Sequence, residues 1–185
     1  MQTELLLIDF DGTLVDTRQA NYRAYRDVLK EIGIELDEEL YLRELFGMRC
    51  GEFLRRMGLT DSYEIDRLRR RKIEIYPQHF DTLKLNDWLW SLAQNFRKNG
   101  GRAWIVSTGQ TININNVMNH LGLADCFDGV FTGADVMDSK PSPECFLKVM
   151  AAEGCSPEQT LIFEDSVVGL EAARKSGAAF IKVEM

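Results

Sequence analysis

Leu5-Leu6-Leu7-Ile8-Asp9-Phe10-Asp11-Gly12-Thr13 is the stretch that decides the fold. Apolar residues run without alternation into two carboxylates spaced one residue apart, and a glycine follows. So short and unbroken a run predicts a strand covered on both faces. Alternation along a strand puts Asp9 and Asp11 on one side, and Gly12 lets the backbone turn sharply just after them. Two carboxylates held together there repel unless something positive sits between them. A loop cap or a calcium loop is the alternative. An EF-hand loop, however, has its glycine sixth and a glutamate twelfth, between helices; here the glycine is fourth and a strand precedes.

Further short apolar runs follow at Ala103–Ser107, Gly129–Phe131, Thr160–Phe163 and Ala178–Val183. Helical patterns lie between them. Asp87–Lys98 has apolar positions 88, 89, 92, 93 and 96 and stops at Gly100-Gly101. Pro143–Glu153 follows Ser142 as N-cap, with Pro at the first helical position and Gly154 beyond the end. Val167–Lys175 ends in the same way at Gly177. Strand and helix in alternation predict an α/β fold with a parallel five-stranded sheet flanked by helices.

From about Arg18 to Phe80 the alternation stops. Only amphipathic helical patterns remain: Tyr22, Tyr25, Val28, Leu29 and Ile32, then Leu40, Leu42, Leu45 and Phe46, then Phe53, Leu54 and Met57, then Asp61 to Tyr76. The expected organisation is an α/β core of residues 1–16 and 81–185 with an all-α module, 17–80, inserted after the first strand.

The other strand ends carry polar groups too. Phe163-Glu164-Asp165-Ser166 is acidic, and ligands of open α/β sheets collect at the carboxyl edge. A lone Glu-Asp there is an ordinary helix N-cap; together with Asp9 and Asp11 it offers the hard oxygens that magnesium prefers. Ser107-Thr108-Gly109 puts a hydroxyl at the same edge, before a helix N-terminus, as a cap or as an anion ligand. Asp138-Ser139-Lys140-Pro141 supplies a lysine that is a surface residue by default, although Pro141 stiffens the chain just after it.

In combination these segments resemble the haloacid dehalogenase-like superfamily, whose four motifs occur in order and at normal spacing over essentially the whole chain. Asp128–Glu171, with Ser-Lys-Pro-Ser-Pro and Glu-Asp-Ser-x-x-Gly-Leu-Glu-Ala-Ala, resembles the branch of β-phosphoglucomutase and phosphoglycolate phosphatase. The resemblance implies a Rossmann-like core and a small helical cap. It implies Asp9 as nucleophile, Asp11 as general acid and base, and Ser107, Thr108 and Lys140 as holders of the phosphoryl group. It implies Mg²⁺ held by Asp9, Asp165 and the backbone carbonyl of Asp11, with Glu164 assisting. Cap candidates for reading the substrate are Arg49 and Lys72, for which a solvated helix face is the alternative. Asn21 stands where β-phosphoglucomutases have histidine, and the cap is shorter than theirs. The expected activity is therefore hydrolysis of a small organic phosphate monoester, with a phosphomutase or a receiver-like phosphorylation switch as alternatives.

Bulk properties narrow the partners. A net charge of −7 disfavours nonspecific binding to nucleic acid or acidic membrane. No apolar run approaches the ~20 residues of a membrane span, and Met1-Gln2-Thr3-Glu4 lacks the basic start of a signal peptide. Cys50, Cys126, Cys145 and Cys155 have no CxxC spacing, which predicts free thiols in a reducing cytoplasm. His79 and His120, the two histidines, give a His-centred triad little material. A monomer or weak dimer acting on a small phosphate ester is expected.

Overall fold

The computed structural model describes residues 2–185; Met1, the head of the segment read for a leader peptide, lies outside the described residues. The chain opens with β1 (Leu5–Ile8), β2 (Val15–Asp16) and α1 (Arg18–Lys30). Next come α2 (Glu38–Leu40), α3 (Cys50–Arg56) and α4 (Ser62–Ile75). They are followed by β3 (Lys84–Leu85), α5 (Asp87–Lys98), β4 (Arg102–Val106), α6 (Thr111–His120) and β5 (Gly129–Phe131). The end of the chain holds α7 (Glu144–Glu153), β6 (Thr160–Glu164), α8 (Val167–Ser176) and β7 (Ala179–Lys182). Two compact units result, Met1–Asp16 with Lys84–Met185 and Thr17–Leu83.

In the first unit five parallel strands lie in the order β5-β4-β1-β6-β7. The central β1 is buried throughout, as its unbroken apolar run requires. Leu5, Leu7, Val106, Phe146, Val149 and Ile162 share one apolar cluster. Fully burying each such side chain stabilises by about 1.5–3 kcal/mol. Edge strand β7 departs from the sequence expectation: its residues are exposed, because only β6 flanks it. Pro143 also departs, standing at the N-cap of α7 with ψ 0, one position earlier than expected. Ser142 Oγ accepts from the Glu144 N–H at 3.3 Å. The pair β2–β3 was too short to leave a periodic signal.

The register sets the site. Ile8 is level with Ile105 of β4 and with Phe163 of β6. The next residue on each strand is therefore Asp9, Val106 and Glu164, at one carboxyl edge. Ser166 and Gly177 close the two ends of α8: Ser166 Oγ accepts from Gly169 N–H at 3.0 Å, and Gly177 takes φ +81°.

The second unit is helical and has its own core of Tyr25, Val28, Tyr41, Phe53, Leu54, Leu68 and Tyr76. The Tyr25 and Phe53 rings meet with centroids 4.4 Å apart and planes tilted by 50°. Here the sequence pattern misleads by one position. A π-helical turn, Tyr41–Leu45, closes with Phe46 N–H donating to Tyr41 C=O at 2.8 Å. The wider turn brings Tyr41 inside and leaves Leu40 exposed.

Candidate active site

Asp9, one residue past β1, is buried and donates its N–H to Phe163 C=O at 3.0 Å. Lys140 Nζ lies 2.6 Å from Asp9 Oδ1 and 2.6 Å from Glu164 Oε1, and donates to Val106 C=O at 3.2 Å. Its side chain is 4% exposed, so the surface lysine expected by default is instead the central cation of the strand edge. The other oxygen of Glu164 accepts from Ser166 N–H at 2.9 Å and Ser166 Oγ at 3.1 Å. Thr13 Oγ1 donates to Asp165 Oδ1 at 3.0 Å, fixing the neighbouring carboxylate.

Asp11 and Ser107 occupy the adjacent side. A methyl group added at Gly109 would stand 3.1 Å from Ser107 Oγ and 3.3 Å from Asp11 Oδ2, which places both beside that glycine. Ser107 Oγ accepts from Gly109 N–H at 2.9 Å, so it caps its own turn. A Cβ at Gly169 would run into the Glu164 carboxylate, so α8 approaches the acid only because the side chain there is a hydrogen.

The electrostatics are lopsided. Burial and the charges of Glu164 and Asp165 push Asp9 well above the ordinary carboxylate range, against the pull of Lys140. Burial works against the Lys140 charge, yet Asp9 and Glu164 outweigh it and raise the ammonium above its usual range. Oxygens of Asp9, Glu164 and Asp165 lie within 4.8 Å of one another. Three carboxylates against one ammonium leave a deficit of two positive charges. An all-oxygen donor set with that deficit fits a hard divalent cation.

Among the described residues, this acidic group includes no cysteine or histidine, and all four cysteines are free. His79 Nε2 lies 3.0 Å from Asp27 Oδ2 in the helical unit. The two cap candidates differ in burial. Arg49 is exposed, whereas Lys72 is buried, so the solvated-face alternative fails for Lys72. Its ammonium donates to Asn21 Oδ1 at 2.8 Å and lies 3.6 Å from the Tyr76 ring centroid. Sequence reasoning gave no role to Thr13, Gly109 or Gly169. The Asp-Gly-Thr and Gly-Leu-Glu runs contained two of these, but their contacts are long-range.

Residues 6–183 match the haloacid dehalogenase-like hydrolase family. The chain belongs to it. Family membership sets aside the receiver-like switch. Fructose-1-phosphate phosphatase YqaB of Escherichia coli is 29% identical over 187 residues, covering 97% of this chain and 96% of that protein. Phosphorylated carbohydrates phosphatase of Thermotoga maritima is 29% identical over 181 residues, 94% of this chain and 82% of its own. The crystal structure of β-phosphoglucomutase from Clostridium difficile superposes with a TM-score of 0.85 at 26% identity, covering 100% of this chain and 86% of that one. Among the described residues, no helix is long and apolar enough to cross a membrane.

Proposed function

We propose that the protein is a Mg²⁺-dependent phosphatase that hydrolyses small phosphate monoesters, phosphorylated sugars among them, through an aspartyl phosphate on Asp9. The observation that carries this reading is Lys140 buried between Asp9 and Glu164, with Asp165 alongside. One carboxylate oxygen of Asp9 is oriented by the ammonium, which leaves the other for attack. Asp9 and Asp165 would hold the metal, with the Asp11 carbonyl, while Glu164 mainly steadies Lys140. When bound, the cation supplies positive charge against the phosphoryl oxygens and lets a dianionic substrate approach.

In the first step an Asp9 oxygen forms a bond to phosphorus, the ester P–O bond breaks, and Asp11 gives its proton to the leaving oxygen. Ser107 and the Thr108 turn hydrogen-bond the phosphoryl group, and Lys140 neutralises part of its charge. In the second step Asp11 takes a proton from water, the water oxygen attacks phosphorus, and the Asp9–phosphorus bond breaks to release phosphate. Arg49 and Lys72 are proposed as readers of the substrate's far end.

The similarity to two sugar phosphatases, one of them matched over nearly its full length, supports carbohydrate phosphates as the first panel to try. Release of inorganic phosphate from such a panel with Mg²⁺, and its loss with a chelator, is the expected result. No turnover of any ester, or full turnover in excess chelator, would sink this reading. Isomerisation outrunning phosphate release would convert it to a mutase.

A further inference from the structure

Lys140 has to reach a buried position from a loop that begins in solvent. Met137 is 88% exposed, and three residues later the Lys140 side chain is 4% exposed. Val136 packs against the apolar core, and beyond it hydrogen bonds hold the exposed entrance of this loop. Glu144, in the first turn of α7, accepts the Met137 N–H on Oε1 at 3.2 Å and the Asp138 N–H on Oε2 at 2.8 Å. Lys148, one turn on, places Nζ 2.6 Å from Glu144 Oε1 and also donates to Asp135 C=O at 3.0 Å. Beyond Lys140, Lys175 Nζ donates to Pro141 C=O at 3.3 Å.

An acidic residue in a helix's first turn is ordinarily a complement to the helix dipole. Such a residue has no need of particular partners outside its helix. This carboxylate instead spans back six and seven residues and satisfies two backbone donors at the loop's entrance. Together with Lys148 it closes the segment from Asp135 to Glu144, which carries Lys140, into a ring.

We propose that Glu144 is a positioning residue: by clamping the entrance of this loop it sets where the Lys140 ammonium sits between Asp9 and Glu164. The consequence for turnover rests on the phosphatase reading above; the consequence for Lys140 does not. Glu144→Ala removes both acceptors while leaving a good helix former. A misplacement of the ammonium by about 1 Å lowers kcat by up to about a hundredfold.

The test reads Lys140 directly. A buried ammonium bonded to two carboxylates exchanges its protons slowly, and its proton–nitrogen signal can be assigned by its disappearance in Lys140→Arg. In Glu144→Ala that signal should shift or broaden away while the remaining backbone spectrum is retained, and kcat should fall by about ten- to a hundredfold. Glu144→Gln keeps one acceptor oxygen, so it should recover part of the signal; it also serves if the alanine variant does not fold. An unaltered Lys140 signal in a folded Glu144 variant would overturn the proposal, whatever happens to kcat. If the wild type hydrolyses no phosphate ester, the phosphatase reading fails and the signal alone decides the role of Glu144.

Discussion

Among the described residues each unit holds a lysine with a buried side chain, and the two are stabilised by different physics. In the α/β unit Lys140 sits between Asp9 and Glu164, ion pairs of 2.6 Å each. In the helical unit Lys72 is 3% exposed, donating to the Asn21 amide oxygen and lying over the Tyr76 ring. Removing a cation from the first setting strands two buried carboxylates, a costly outcome. Removing it from the second takes a donor from the Asn21 amide oxygen and a cation from the Tyr76 face, a smaller loss. The first lysine is held by two ion pairs; the second is held by a hydrogen bond to an amide and by contact with a ring.

The largest effect is expected among those ion pairs. Asp9→Asn should lower phosphatase turnover by at least about four orders of magnitude, as loss of a nucleophile does. Its effect on stability should have the opposite sign. Folding raises the pKa of Asp9, so ionisation as pH climbs through the folded value subtracts stability from the native state. The neutral amide escapes this, while Lys140 keeps Glu164. The metal-free variant should therefore melt at a higher temperature than wild type at pH 7. Residual turnover above a hundredth of wild type would remove Asp9 as nucleophile, and a lower melting temperature would contradict the charge balance.

Replacing the two lysines tests the comparison itself. Lys140→Met should cost about 3–5 kcal/mol in denaturant unfolding, because Asp9 and Glu164 are left without their cation. Lys72→Met keeps the length of the stem and should cost less, about 1–3 kcal/mol for the stranded Asn21 oxygen. Equal losses would mean that both lysines are held in the same way. The same Lys72 variant examines its proposed part in reading substrate. A sugar phosphate should lose about tenfold or more in kcat/KM, the worth of a charged hydrogen bond, while p-nitrophenyl phosphate changes little. A common small loss on both esters would make Lys72 a packing residue only.

Much of the strand edge was legible because topology acts on sequence locally. Acidic residues that end apolar runs must arrive at one edge of a parallel sheet, so Asp9, Glu164 and Ser107 needed no knowledge of tertiary contacts. Lys72 was a candidate from the sequence, but its burial was illegible for the opposite reason. It ends a run of Arg69, Arg70 and Arg71, which reads as a solvated face, and only the fold shows that Asn21 comes from 51 residues away to receive it. Tyr41 was hidden by a π turn that shifts the buried face by one position. Nothing in the sequence marks Glu144 beyond its place in a first helical turn, since its partners lie upstream in a segment with no periodicity.

That clamp gives the smallest and most local prediction. Lys148, with the N–H groups of Asp138 and Met137, holds the Glu144 carboxyl down at about 2 against an ordinary 4.5. A depressed carboxylate contributes stability that is complete above its unfolded pKa and is lost as pH falls through the folded one. The clamp should therefore stay intact at pH 4, where an unpaired glutamate is already half protonated, and open only as the pH approaches 2. Following the Glu144 carboxyl carbon by NMR checks this, with a midpoint expected at about 2 in the wild type. In Lys148→Met, which removes the first of the causes, the midpoint should move up toward 4.5 but not reach it, because the two backbone donors remain. A wild-type midpoint near 4.5 would mean that the carboxylate is solvated rather than clamped. The anchoring of Lys140 would then have to come from its own ion pairs alone, and the contrast with Lys72 would shrink to the chemistry of the immediate partners.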